Sequence, residues 1–278
     1  ILPAAATGNV DVTANGSITA RFGIDAENFG AGSTTVHTVG PVNVTSGNGV
    51  FALTAGGNVA VTTGAVTSTG NTAIIAQQTS AAGSGTLAIT TNGAVSGTTG
   101  IAANNAGSGA STIIANSTVT GTSAEGILVT GAGAVTVTAN DVITGATRGL
   151  SLTGGSGGSG NILVNGTGGF VGGTGDAANI LNSGSGTITV NISGASSSTG
   201  GNGFIVRDTA AGTGISVTTG SVTALTAGKN GIDVQSQSLT GNVTEVANGN
   251  IQAGNAGMVA AILPAAATGN VDVTANGS

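Results

Sequence analysis

Residues 8–32 read GNVDVTANGSITARFGIDAENFGAG, and this stretch contains three short alternating segments separated by turns. Val10-Asp11-Val12-Thr13 alternates apolar and polar, as does Ile18-Thr19-Ala20 after Asn15-Gly16. The third segment opens on a glycine, Gly23-Ile24-Asp25-Ala26, and Gly30-Ala31-Gly32 closes the set. A period of two, interrupted by glycine every few residues, predicts short strands and excludes helix. The same grammar returns along the chain. Val59-Ala60-Val61-Thr62 and Ala65-Val66-Thr67 repeat the first two segments. Gly100-Ile101-Ala102, Gly126-Ile127-Leu128, Gly149-Leu150-Ser151 and Gly231-Ile232-Asp233 repeat the third, and Ala106-Gly107-Ser108-Gly109 repeats the corner.

Anchoring each repeat on the first aliphatic residue of its first segment gives Val10, Val36, Val59, Leu87, Ile113, Val135, Ile162, Ile188, Ile215, Val243 and Val271. Corners vary in length while the strands persist, which is expected when each repeat is one coil of a solenoid. The expected fold is all-β: a parallel β-helix, or β-solenoid, right-handed, with three short strands per coil and about ten coils per 261-residue unit. Like strands of successive coils then lie ~4.8 Å apart, so ten coils advance roughly 48 Å. Val10, Val12, Val36, Val59, Val61, Leu87, Ile113, Val135, Ile162, Ile188, Ile215 and Val243 are expected to point inward and stack as an aliphatic ladder. Corner glycines are expected to supply positive φ. One coil cannot bury its own inner face, so stability accumulates from coil–coil interfaces.

A longer period encloses the short one. Residues 1–17, ILPAAATGNVDVTANGS, recur letter for letter as residues 262–278. The expected organisation is one solenoid unit over 1–261, with 262–278 beginning the next identical unit.

Composition excludes several classes. Of 278 residues 53 are Gly and none is Cys, Trp or Tyr, so neither a disulfide framework nor a thiolate site exists. Four Lys and Arg against ten Asp and Glu cannot make the basic footprint that nucleic acid requires. At 39% hydrophobic residues the chain has enough apolar material to fold, yet no run approaches the ~18 apolar residues of a membrane span. Ile1-Leu2-Pro3 does not open a signal peptide.

Candidate chemistry is sparse. The single histidine, His37 in Val36-His37-Thr38-Val39, is expected to face outward from a strand. Without a second His or any Cys, metal ligation would fall to carboxylates, and these are dispersed. Clustered acids with an aromatic platform would point to a polysaccharide-active enzyme; no such cluster is legible, so no catalytic residue, metal or cofactor is expected. Gly172-Gly173-Thr174-Gly175-Asp176 comes within one residue of a calcium-binding nonapeptide, but occurs once and reads as a plain glycine corner. Leu2-Pro3-Ala4-Ala5-Ala6-Thr7-Gly8 is too long for a sortase signal and recurs inside the repeat. The sequons at Asn43, Asn116, Asn165, Asn191 and Asn242 are expected at this frequency of Asn and Thr. One pairing is sharp: Glu125 before Gly126-Ile127 and Arg148 before Gly149-Leu150 occupy equivalent corners of successive coils, predicting an inter-coil ion pair. Outward pairs Thr136/Thr138, Thr189/Asn191 and Ser216/Thr218 suit a water-ordering, ice-binding face, although Asp11, Ala60, Ile114 and Leu163 break the row.

The order of motifs over residues 8–32 resembles the β-strand repeats of bacterial surface proteins, namely autotransporter passenger domains and giant repetitive adhesins. That resemblance covers essentially the whole chain and specifies fold more than activity. It implies a secreted β-helical stalk at the bacterial cell surface. Its partners would be further units of itself, in one chain and through lateral bundling, with no nucleic acid and no membrane insertion by this segment.

Overall fold

The computed structural model describes residues 7–155, 158, 160–209 and 212–277. The first copy's residues 1–6, with nearly all of Leu2–Gly8, and Ser278 lie outside the described residues. The chain is all-β and winds through ten coils, each adding one strand to each of three sheets. The first sheet has eleven strands, the second and third ten each, and neighbours within a sheet are three strands apart in sequence. The third coil is representative, with Val59–Thr63, the three-residue Val66–Ser68, and Ile74–Gln78. Its pairings to the coils on either side are parallel in all three sheets.

Alternation sets the faces. In most five-residue strands between the first and last layers the first, third and fifth side chains are buried and the second and fourth face out, as in Val135–Ala139. The interior is a column of Val, Ile, Leu and Ala closed by small polar residues. Two phenylalanines also fit inside. Coil seven buries Phe170 in the second sheet beside Ala178 in the third; coil eight reverses the sizes with Ser196 and Phe204. The rings meet edge to face at 6.2 Å between centroids, and each bulky residue is offset by a small one in its own coil.

Glycine serves the corners differently from expectation. Among the described residues only Gly155, Gly158, Gly166, Gly214 and Gly228 have positive φ. Close stacking is the commoner demand: a Cβ on Gly23 would land on the carbonyl oxygen of Gly49 in the next coil.

Candidate functional site

The face that does the work of a solenoid is the one each coil offers the next. In the first sheet the leading inward column runs Val10, Thr34, Val59, Leu87, Ser111, Val135, Ile162, Ile188, Ile215, Val243, Val271. Two anchors chosen from sequence therefore sit one column over. Val36 stacks on Val12 and Val61, and Ile113 on Ile89 and Val137. The reason is chemical: Thr34 and Ser111 hold the leading position, and the first aliphatic residue comes two places later. Thr34 is accommodated inside because its hydroxyl donates to the Leu53 carbonyl at 2.7 Å. Val36, Val59, Val61, Leu87, Ile113, Val135, Ile162, Ile188, Ile215 and Val243 are buried, while Val10 and Val12 of coil one are half-buried.

A second column, invisible to hydrophobic periodicity, closes the corner after the third sheet. Asn28, Thr54, Gln78, Asn105, Asn182, Asp208 and Ser236 are all buried at the last inward position of that strand. Asn105 shows the role. Its amide donates to the carbonyls of Gly85 at 3.1 Å and Gly109 at 3.0 Å, and its oxygen accepts from Gly107 N at 3.1 Å. Asn28 and Asn182 clamp their glycine corners in the same way. Backbone groups that a three-strand coil cannot pair within its sheets are thus satisfied from inside.

The corner before the third sheet carries the charges. Arg148 Nη1 lies 3.8 Å from Glu125 Oε1, and Arg148 Nε lies 3.5 Å from Asp176 Oδ2, so one guanidinium spans three coils. Asp176 in turn accepts from the Asn202 backbone at 2.9 Å and its side-chain amide at 3.1 Å. Asn202 Oδ1 accepts from Asn230 N at 2.8 Å, and Asn230 Oδ1 from the Asn255 amide at 2.9 Å. The line runs from coil five to coil ten. Asp176 was hidden in the sequence because Ala177, rather than glycine, follows it. A bidentate pair was also missed: Arg207 holds Asp233 with both contacts at 3.0 Å, across neighbouring third-sheet strands. A 26-residue offset between outward residues gives no signal until the coil lengths are known.

Glu245 is the exception in the interior. It occupies the third-position column of the first sheet, where every other member is Val or Ile, between Val217 and Val273. The side chain is fully buried and neither oxygen has a hydrogen-bond partner. Burial, with the nearby Asp233 charge, pushes its carboxyl up to about 8.

The remaining candidates stay apart. His37 faces outward between Thr13 and Thr62. Asn116 of a sequon joins an exposed side-chain ladder, donating to Asn92 and accepting from Asn140. Among the described residues no group of three or more His, Cys, Asp or Glu side chains is placed to hold a metal ion. No family model, curated protein or solved structure matches the chain.

Proposed function

We propose that the chain is a repeating shaft segment of an extracellular bacterial filament or adhesin, a stiff rod that carries surface attachment or biofilm contacts away from the cell. The observation that carries this reading is the placement of the repeated segment. Val271–Ala275, identical to Val10–Ala14, pairs with the preceding coil in parallel, Val243 to Val271 and onward to Ala247 with Ala275. The second copy thus continues the first sheet by one more layer. Low charge, few Lys and no free thiol suit an oxidation-insensitive, protease-resistant exterior. The test is length. Proteins of one, two and three 261-residue units, compared by small-angle scattering, should grow by roughly 48 Å per unit in maximum dimension. Growth well short of that, or a compact particle, overturns the reading.

Ice binding is the second reading, favoured by the outward columns now in register. Thr67, Ser96, Thr120 and Thr144 follow one another on the second sheet, and Thr112 and Thr136 on the first. Leu163 and Ile114 interrupt the first-sheet rows. Thermal hysteresis in the one-unit protein would establish it.

A further inference from the structure

Phe22 is 63% exposed on a chain with only five phenylalanines, and it is not loose. Its ring leans onto coil two over Gly47, where any Cβ would collide with the ring, and the Arg21 guanidinium sits 5.2 Å from its centroid. A second outward phenylalanine, Phe51, lines the same groove of about 300 Å³, with Asp25, Ser46, Asn48 and Asn71 as its polar wall. Asn48 Oδ1 is enclosed there with no hydrogen-bond partner, a cost that a rotation of the amide toward a donor would relieve.

The chemistry of the wall selects its ligand. The Asp25 carboxylate and the unpartnered Asn48 oxygen ask for donors, while the Ser46 hydroxyl and the Asn71 amide can donate, so the wall suits a ligand whose hydroxyl groups both give and accept hydrogen bonds. A flat aromatic face held rigidly beside them asks for a ring with one apolar face. The volume is at the small end for ligand sites and admits one ring. We propose that this groove is a binding subsite for a single neutral pyranose, stacked on Phe22 with its hydroxyls donating to Asp25 and Asn48. The shared chemistry is the same for a free monosaccharide and for one residue of a neutral glycan chain.

The 278-residue protein would be tested by saturation-transfer difference NMR against neutral hexoses, N-acetylhexosamines and their short oligomers, with a uronate oligomer and tetramethylammonium as contrasts. The expected result is saturation of ring-face protons of a neutral sugar at or below about 10 mM, weakened at least ten-fold by F22A. N48A should weaken it too, whereas F29A, at a different corner, should leave it unchanged. F51L serves as a second groove variant should F22A alter the far-ultraviolet circular dichroism. An oligomer that binds where its monosaccharide does not would identify the glycan chain as the source. The proposal is overturned if no neutral sugar in the panel binds, if a charged probe binds more tightly, or if both groove variants bind as the parent does.

Discussion

Coils two to six and coils seven to ten solve the same problem with different chemistry. In the earlier coils the buried polar residues are all uncharged, such as Thr54, Gln78, Asn105 and Ser111. In the later coils the buried polar residues include Asp176, Asp208, Asp233 and Glu245. Three of these acids have partners: Asp176 has Asn202 and Arg148, Asp208 receives the Ser236 hydroxyl, and Asp233 has Arg207. Glu245 has no hydrogen-bond partner. A stacked interior leaves single hydroxyls such as those of Thr63 and Thr91 without partners, but it holds its acids against a neighbouring group or, at Glu245, as the neutral carboxyl.

The largest expected effect therefore belongs to Glu245. Below pH 4.5 its carboxyl is protonated in both folded and unfolded chains and costs nothing through ionisation. Between 4.5 and about 8 the unfolded chain releases the proton while the folded chain retains it. Stability should then fall by about 1.4 kcal/mol per pH unit across that window and level off above it. E245V, which restores the column of Val and Ile, should remove this component, so the parent and variant diverge as pH rises. Denaturant titrations of both proteins at steps from pH 4 to 9 would measure it. Parallel pH profiles would show that Glu245 ionises freely inside the fold. Hydrogen exchange should place the parent's loss in coil ten, since solenoids open locally rather than as a single unit.

A smaller effect tests the neutral clamps of the earlier coils. N105A removes two donated bonds to glycine carbonyls and one accepted from Gly107, all at a buried corner. Gly107 N retains Gln78 Oε1 at 2.9 Å, so part of the corner stays paired. A loss of about 2–3 kcal/mol is expected, independent of pH, and measured by the shift of the urea midpoint. A loss near zero would mean that water replaces the amide and that the corner column is ornamental to stability.

The two regions also differ in how readily they could be read. Three strands per coil, inward Val59 and Val61, and the glycine before most third strands follow from period-two alternation and turn chemistry, which are local. Column membership is not local. Thr34 and Ser111 look like turn residues until the coil closes, with the third strand of its own coil offering Thr34 the Leu53 carbonyl and the interior enclosing the Ser111 hydroxyl without a partner, so Val36 and Ile113 drew the anchor away. Glu245 lies in Val243-Thr244-Glu245-Val246, where an acid in an alternating strand reads as outward. Only the alignment of Val243 with Ile215 places it inside. Glu125 and Arg148 were legible because both precede a glycine-aliphatic pair; Asp176 and Asp233 required coil lengths that the corners conceal.

The smallest effects separate the two ion pairs. Glu125 and Arg148 approach to 3.8 Å through a single contact, on side chains 18% and 37% exposed. Such a pair contributes about 0–1 kcal/mol and weakens with salt. Arg207 and Asp233 make two parallel contacts at 3.0 Å, and Asp233 is additionally held by Asn230 at 3.2 Å and Gln235 at 3.2 Å. Double-mutant cycles with E125Q and R148M, and with D233N and R207M, should give a coupling near zero for the first pair and a larger one for the second. Raising salt should erase the first and leave most of the second. If the couplings were equal, the bidentate geometry would contribute nothing beyond proximity. The later coils' use of charge would then be as neutral to stability as the surface pair, leaving the interior columns and the three backbone ladders to hold successive coils together.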